Sequence, residues 1–267
     1  MIIDFHTHCF PDSLAPKALN LLKDHALQSY RFPCTDGTVS GTESHIKNQG
    51  VDYAVVCNIA TNPHQQFKVN SFAISIAQSS KTLYSLGSLH PACDNIKTEI
   101  ERLKASGIRG IKIHPDYMGT DINDPKFDEI FELCCDNNIF VVTHAGLDPV
   151  SPNHIHATPD MILSVIKKFP NIRLIAAHMG GFSLSQDVIE KLLGQNIWLD
   201  TSLSALRPNE YDNLIYILKE HDPNKLLFAS DTPWSYAKEE LEFIYSSNLN
   251  SSLIDKILYK NATQLLQ

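Results

Sequence analysis

Residues 2–8 read IIDFHTH, a short apolar run that ends in two histidines, and this stretch decides the fold class. Residues two apart in a β-strand face the same side, so His6 and His8 point together in one direction, with Asp4 one layer deeper. Other apolar runs end in the same kind of side chain, namely FVVTHAG at His144, LIAAHMGG at His178 and LLFASDTPW at Asp231. Strands that each end in a polar side chain predict a site at the mouth of a barrel.

Eight such apolar runs recur along the chain, and several lack the polar alternation of a half-exposed strand. They span residues 2–5, 53–56, 83–89, 110–113, 140–143, 173–177, 197–200 and 226–229. Amphipathic segments of helical length lie between several of them, at residues 95–105, 126–136, 159–169, 186–193, 209–220 and 238–246. This alternation predicts an α/β fold of the (β/α)8 TIM-barrel type, which commonly uses about 250 residues as one domain. We therefore expect a single barrel domain over residues 1–267.

The stretch after the first strand, residues 10–50, is too long for one connecting helix. Its middle reads QSYRFPCTDGTVSG and is rich in turn-forming residues. We expect a loop insertion here that lies over the mouth of the barrel.

Composition excludes several classes of protein. The formal net charge is −8 and no cluster of lysine and arginine stands out, which argues against a nucleic-acid partner. No run approaches the roughly 20 apolar residues of a membrane span, and no leader pattern precedes the first strand. Six cysteines without a CxxC pair predict reduced thiols. These features together predict a cytoplasmic protein without a membrane partner.

The strand-end residues have the donor types of a catalytic metal centre. Three neutral histidines and one carboxylate, without cysteine, favour one divalent metal ion, Zn²⁺ first, with Mn²⁺, Fe²⁺ and Co²⁺ compatible. Asp231 could ligate the metal or lie against its bound water. A metal of this kind lowers the pKa of its water toward about 7, and Asp231 is placed to take the proton. The alternative is a histidine-rich mouth that binds no metal and uses imidazoles for acid–base work or anion binding.

The role of His178 stays open at this stage. It could orient the reacting water, stabilise a developing oxyanion or ligate a second metal. Other residues near the predicted strand ends are candidates for substrate binding: His90, Lys112, His114, Arg207 and Trp234. Among them we expect Arg207, which follows the seventh strand, to be an exposed cation for an anionic substrate, although a solvated surface charge is its alternative.

Taken in order, IIDFHTH, GIKIHP, VVTHAG, AAHMGG, ASDTPW and the closing NATQLL resemble the amidohydrolase superfamily. The resemblance is to its amidohydrolase-related (amidohydrolase 2) branch of metal-dependent TIM-barrel enzymes, which includes hydrolases and decarboxylases. It covers nearly the whole chain. It implies that His6, His8, His144 and Asp231 are metal ligands and that His178 is the catalytic histidine.

The fourth strand departs from the pattern of the binuclear members of that superfamily. Those proteins carry a carboxylated lysine or a glutamate between two metals, whereas this strand reads GIKIHPDY, with His114 last and Lys112 one inward step below. Lys112 could be carboxylated, reach a substrate carboxylate or pair with Asp4. The departure favours a single metal.

The sequence therefore predicts an enzyme that acts on a small molecule. The first hypothesis is a metal-dependent hydrolase in which activated water attacks an amide, lactone or ester carbonyl, with Asp231 and His178 as catalytic residues. The second is a metal-dependent non-oxidative decarboxylase, or a hydratase, of an unsaturated or aromatic carboxylate. The third is an inactive barrel that binds metal or ligand. Pairing through outer helices, which is frequent among such barrels, makes a homodimer compatible with the sequence.

Overall fold

The computed structural model describes residues 1–26, 33–149 and 151–267. Within them, eight parallel strands lie in chain order: β1 (Ile3–Thr7), β2 (Tyr53–Cys57), β3 (Leu83–Leu86), β4 (Gly110–Ile113), β5 (Phe140–Thr143), β6 (Leu174–Ala176), β7 (Trp198–Asp200) and β8 (Leu226–Leu227). Strands β1 to β3 form one sheet and strands β4 to β8 form another. Each strand overlaps an apolar run that the sequence predicted.

Backbone hydrogen bonds join the two sheets at both of their edges. The Gly87 amide donates to Gly110 at 3.1 Å and the Lys112 amide donates to Gly87 at 2.8 Å, which links β3 to β4. The Phe5 amide donates to Phe228 and the Asp231 amide donates to His6, each at 2.8 Å, which links β1 to β8. The eight strands are thereby connected into the ring expected of a TIM barrel.

Helices connect the strands and cover the outside of the ring. They are α1 (Ala15–Ala26), α2 (Val39–Asn48), α3 (Gln66–Ser79), α4 (Ile96–Ala105), α5 (Pro115–Met118), α6 (Asp128–Asn137), α7 (Pro159–Lys168), α8 (Ser185–Lys191), α9 (Tyr211–Glu220), α10 (Ala237–Ser246), α11 (Ser251–Asp255) and α12 (Asn261–Leu266). Side-chain caps fix some of their first turns, as where Thr38 accepts from the Gly41 amide and Thr158 from the Met161 amide. None of the helices in the described residues is both long enough and apolar enough to cross a membrane.

Two groups of buried apolar residues hold the barrel together. The larger group lies between strands and helices, and the smaller one, the inner cluster, contains residues of six strands that meet inside the ring together with Ala262 and Leu265 of α12. The inner cluster includes Ile3 and Phe5 of β1, and the Phe5 ring lies 5.6 Å from the ring of Phe140. Interior packing below the strand ends therefore gives the site a rigid floor.

The insertion after β1 differs from the predicted loop because most of its described residues are helical. Helix α1 and helix α2 occupy it, and residues 27–32 of the predicted loop lie outside the described residues. Helix α1 buries Ala15 and Leu19, which gives it the apolar face that a packed helix requires. Its position over the mouth agrees with the prediction, because Ala18 and Leu22 line the cavity described below.

Candidate metal centre

A cavity of about 590 Å³ opens at the carboxyl ends of the strands. Its floor contains polar side chains that the sequence placed at strand ends: His6, His8, Lys112, His114, His144, His178 and Asp231. Its upper walls are mostly apolar and include Phe10, Leu14, Ala18, Leu22, Val69, Phe72, Leu203 and Trp234. Polar groups therefore converge at the bottom of an apolar funnel, the usual form of a small-molecule site.

His6, His8 and Asp231 form the first group of metal-ligating atoms. Asp231 Oδ1 lies 3.0 Å from His8 Nε2 and 3.5 Å from His6 Nε2. Phe5 belongs to the inner cluster, so simple alternation would turn the neighbouring His6 away from the interior. A register shift between β1 and β2, located between Asp4 and Thr7, brings His6 to the cavity floor instead. Bulges of this kind re-aim side chains next to functional sites. The predicted inward position of Asp4 is accordingly wrong.

The outer nitrogens of both imidazoles are held by acceptors. His8 Nδ1 donates to the Cys57 carbonyl at 2.9 Å, and His6 Nδ1 lies 2.9 Å from Asp200 Oδ2. A carbonyl only accepts, so in the neutral imidazole of His8 the Nε2 lone pair faces Asp231 Oδ1. Two facing lone pairs at 3.0 Å would repel each other, so either a proton on His8 Nε2 or a metal ion lies between them. Orientation by a carboxylate or carbonyl is also the usual outer support of a histidine ligand.

Lys112 lies next to this group. It is fully buried, and its Nζ lies 3.1 Å from His6 Nε2. The predicted pairing with Asp4 is not seen, because Asp4 accepts from the Ser230 hydroxyl and amide instead. Burial lowers the pKa of Lys112, which reduces the cost of removing its proton beside a bound cation. The residues present thus fit a divalent ion held by His6, His8 and Asp231.

His178 lies in a buried chain of hydrogen bonds. Ser202 donates to Asp200, so the Ser202 hydroxyl oxygen accepts from His178 Nδ1 at 2.8 Å. His178 Nε2 then accepts from His144 Nδ1 at 3.1 Å. Burial lowers the pKa of His178 well below its usual value, which keeps the ring neutral and this order of donors intact.

The turn that carries His178 was not foreseen. Ile175 of β6 belongs to the inner cluster and Ala176 to the larger group, so simple alternation along the strand would point His178 away from the interior. His178 reaches the floor from a turn in which it and Met179 both have a φ of 57°. The His178 amide donates to Asp200 Oδ1 at 3.0 Å and thereby holds the turn in place.

His144 belongs to a second group of potential ligands, with His114 and Asp148. Its Nε2 lies 3.8 Å from Asp148 Oδ2, and the His144 ring stacks on the His114 ring at 4.3 Å. His144 therefore does not join the compact group of His6, His8 and Asp231, and its predicted role as their fourth ligand stays a prediction. A third, more exposed group consists of Asp121, His154 and His156.

The substrate-binding candidates fall into two sets. Lys112, His114 and Trp234 line the cavity as predicted. His90 is buried away from it, where its amide donates to Gln66 and its ring accepts from the Ala92 amide. His90 therefore has a structural environment outside the cavity lining, in contrast to its candidacy for substrate binding.

Arg207 corrects the expectation of an exposed cation. Its side chain is buried and donates to the carbonyls of His178 at 3.0 Å and Gly181 at 3.1 Å. It also forms an ion pair with Glu210 at 3.3 Å. Buried carbonyl groups need hydrogen-bond donors, and Arg207 supplies these donors to the turn that carries His178. Arg207 therefore supports this turn and does not line the cavity.

Sequence reasoning missed three residues that contact the histidines of the site: Asp200, Ser202 and Asp148. The sequence did carry a signal for Asp200, because this carboxylate ends the seventh apolar run, much as Asp231 follows the eighth by two residues. Asp148 stands four residues after His144 in a loop, where spacing alone predicts no contact. Desolvation by burial raises the pKa of Asp200. The charge interaction with His6 and the hydrogen bonds from His6 and Ser202 oppose this effect and bring the pKa below its usual value.

Comparison with solved structures supports the fold. An uncharacterized TIM-barrel protein from Bordetella bronchiseptica is 17% identical, with a TM-score of 0.78 over 99% of this chain and 98% of that chain. A dihydroxybenzoic acid decarboxylase from Polaromonas sp. JS666, with bound manganese and the inhibitor 2-nitroresorcinol, is 14% identical, with a TM-score of 0.74 over 99% and 96%. The 5-carboxyvanillate decarboxylase of Sphingomonas paucimobilis is 13% identical, with a TM-score of 0.69 over 99% and 98%.

No curated protein matches this sequence. A protein-family model described as amidohydrolase, by contrast, matches residues 3–267. This match includes all of the strand-end motifs on which the sequence resemblance rests. The chain therefore belongs to the amidohydrolase-2 family of TIM-barrel proteins.

Proposed function

We propose that this protein is a metal-dependent decarboxylase that removes CO2, without oxidation, from a small aromatic or unsaturated carboxylate. The observation that carries the proposal is the contact of His8 Nε2 with Asp231 Oδ1 at the bottom of the apolar cavity. A metal ion shared by these two atoms would account for the contact, and the walls suit a planar apolar substrate. Decarboxylases of aromatic acids among the structures with the same fold support the choice of reaction.

The ligands that we assign are His6, His8 and Asp231, three of the four residues that the sequence selected. Three protein ligands leave further coordination positions open, as a catalytic centre requires. The donors accommodate Zn²⁺ or Mn²⁺, and manganese is the ion bound in the Polaromonas protein. When bound, such an ion supplies Lewis-acid polarisation of substrate oxygens.

The remaining residues orient the substrate and move a proton. Tyr117 stacks on His114 with ring centres 4.0 Å apart, and Trp234 also lines the cavity, so flat walls are available for an aromatic ring. When the bond to the carboxylate carbon breaks, its electron pair stays on the ring carbon, which must take a proton. We assign Asp231 to take this proton from a water molecule and to pass it to the ring carbon, so that the substrate carboxylate and water become the decarboxylated product and bicarbonate. His178 holds His144 and Ser202 in fixed orientations.

Hydrolysis of an amide, lactone or ester is the second candidate. Asp231 is 7% exposed and sits against His8, a position from which it could also accept a proton from water. The family's description as amidohydrolase adds support. The cytoplasmic location, the small-molecule substrate and a homodimer stay proposals alongside either reaction.

The test is a substrate screen with purified protein supplied with Mn²⁺ or Zn²⁺. Hydroxybenzoates and unsaturated dicarboxylates are assayed for released CO2, and amides, lactones and esters are assayed in parallel for water addition. We expect CO2 release in the wild type and a loss of at least about 100-fold in kcat/KM in Asp231→Asn. Asp121→Asn, a change at a partly exposed carboxylate outside the cavity lining, is the matched control and should keep full activity.

Each other outcome selects a different function. Water addition without CO2 release would replace the decarboxylase by the hydrolase. Full metal occupancy without turnover in any panel would favour the inactive barrel. Unchanged CO2 release in Asp231→Asn would exclude the assigned proton transfer.

A further inference from the structure

Asn58 is a buried polar residue of the cavity that neither the proposed metal centre nor the proposed proton transfer uses. It follows Cys57, the last residue of β2, and it lines the cavity with only 6% of its surface exposed. The carbonyl of Cys57 accepts from His8 Nδ1, so Asn58 lies directly beside the support of a proposed metal ligand. A buried amide at such a place needs hydrogen-bond partners for both its nitrogen and its oxygen.

Two acceptors of β3 fix the orientation of the Asn58 amide. Its Nδ2 donates to the Leu86 carbonyl and to the Ser85 hydroxyl oxygen, each at 2.9 Å. A carbonyl group cannot donate, so the amide atom that faces Leu86 must be the nitrogen. Both hydrogens of this nitrogen are thereby used within the protein, and the oxygen is the end of the amide that remains for a ligand.

The Asn58 oxygen is open to the cavity. Within the described part of the chain, the side chain makes only the two hydrogen bonds of its nitrogen, and Oδ1 accepts none. Nor is Oδ1 among the described side-chain oxygens that are sealed from solvent without a partner. Solvent therefore reaches this atom, and it does so from the cavity that Asn58 lines.

The chemistry of Oδ1 selects the kind of group that it can bind. A carbonyl oxygen only accepts, so a carboxylate or ether oxygen of a ligand would face it with lone pairs of its own, whereas a hydroxyl or amino group would donate. The amide cannot adapt by turning over. Its oxygen would then face the Leu86 carbonyl, and buried polar groups would be left without partners.

We propose that Asn58 Oδ1 is a specificity-determining contact that accepts a hydrogen bond from an uncharged hydroxyl or amino group of the substrate. The proposal rests on the proposed function in taking this cavity as the substrate site, and it narrows the substrate to a carboxylate that carries such a donor. Asn58 binds and orients this group and takes no part in breaking a bond.

The experiment measures the binding of probes that cannot lose CO2. Nitroanilines are compared with nitrotoluenes, each with the second substituent at position 2, 3 or 4 of the ring. The nitro group has the planar shape of a carboxylate, and a methyl group is close in size to an amino group but donates no hydrogen bond. Dissociation constants are measured by NMR titration of the full chain supplied with Zn²⁺.

The proteins compared are the wild type, Asn58→Leu and Asn62→Leu. Leucine resembles asparagine in shape but has neither a donor nor an acceptor. Asn62 lies in the same loop after β2 and outside the cavity lining, so the same change there is the matched control. Circular dichroism checks that each variant is folded.

In the wild type and in Asn62→Leu, we expect at least one nitroaniline to bind about five- to tenfold more tightly than its nitrotoluene, as one hydrogen bond between neutral groups predicts. In Asn58→Leu this ratio should fall to about one or below, because the probe then meets an apolar side chain. In wild-type crystals soaked with the preferred nitroaniline, its amino nitrogen should lie about 2.7–3.2 Å from Asn58 Oδ1. This last measurement does not depend on the folding of a variant.

The proposal is overturned by three results. Equal affinity within every pair in the wild type, or no binding of any probe, would mean that the cavity recognises no such donor. A wild-type ratio in folded Asn58→Leu would place the recognition at another residue, as would an amino nitrogen bound away from Oδ1 in the crystals. None of these results bears on CO2 release, because the probes carry no carboxylate. A substrate screen without CO2 release would in turn leave the ratios unchanged.

Discussion

Asp200 shows how one buried carboxylate can organise the floor of the barrel. It receives His6 Nδ1 at 2.9 Å, the His178 amide at 3.0 Å and the Ser202 hydroxyl. It therefore links the proposed metal centre of His6, His8 and Asp231 to the hydrogen-bond chain of His178 and His144. Each of these partners was at or beside a strand end in the sequence, but their mutual contact depends on the barrel bringing β1, β6 and β7 together.

Replacing Asp200 tests this role. In Asp200→Asn the charge that orients His6 is lost, and loss of such outer support typically weakens metal affinity by about 10- to 100-fold. The affinity for Zn²⁺ is measured by competition with a chromogenic chelator. Asp222→Asn, a change at a surface carboxylate, is the control and should bind as the wild type does. Wild-type affinity in Asp200→Asn would contradict the orienting role.

At the scale of elements, helix α10 holds the loop that follows β7 through one buried carboxyl group. Glu240 Oε2 accepts from the Ala205 amide at 3.0 Å and its Oε1 accepts from the Ser235 hydroxyl at 3.0 Å. Burial raises the pKa of Glu240 to about 8, although these hydrogen bonds oppose the shift. The same loop continues to Arg207, which braces the His178 turn.

The raised pKa of Glu240 makes stability depend on pH. Folded Glu240 keeps its proton up to about pH 8, whereas the unfolded chain loses it near pH 4.5. The native state therefore binds more protons between these values, and stability falls as pH rises, by at most about 1.4 kcal/mol per pH unit from this group. Asp4, whose pKa burial raises to about 7, adds a slope of the same sign.

Urea unfolding between pH 5 and 8.5 measures this slope. Because an amide does not titrate, Glu240→Gln should show a shallower fall of the unfolding free energy than the wild type. Glu242→Gln, two residues away on the same helix, is the matched control. A wild-type slope in Glu240→Gln would mean that Glu240 is ionised in the folded protein.

Elements were predictable to the extent that they depend on local pattern. All eight strands overlap predicted apolar runs because buried parallel strands need continuous apolar sequence. The orientation of β1 and β6 was not predictable. A register shift in β1 and a positive-φ turn after β6 break the alternation of inward and outward side chains. Neither feature leaves a periodic signal in the sequence.

At the scale of the whole molecule, stability rests on packing inside the ring. Phe5 is fully buried in the inner cluster, which joins residues from six of the strands. Phe5→Ala should lower the unfolding free energy by about 3–5 kcal/mol, because it removes a large buried side chain and leaves a cavity. Urea unfolding measures the change. Phe67→Ala, at a ring 62% exposed, should cost at most about 1 kcal/mol, and an equal loss in both variants would contradict a packed interior.

The sequence by itself determined that this chain forms a TIM barrel with histidines and an aspartate at the strand ends, because strand periodicity and ligand chemistry are local properties. Only the tertiary structure decided how those side chains group. It placed His144 with His114 and Asp148, buried Arg207 behind His178 and made Asp200 the common partner of His6 and of the His178 amide. The physical reason is that ring closure and the turns after the strands set distances between residues far apart in the chain, which no local pattern encodes.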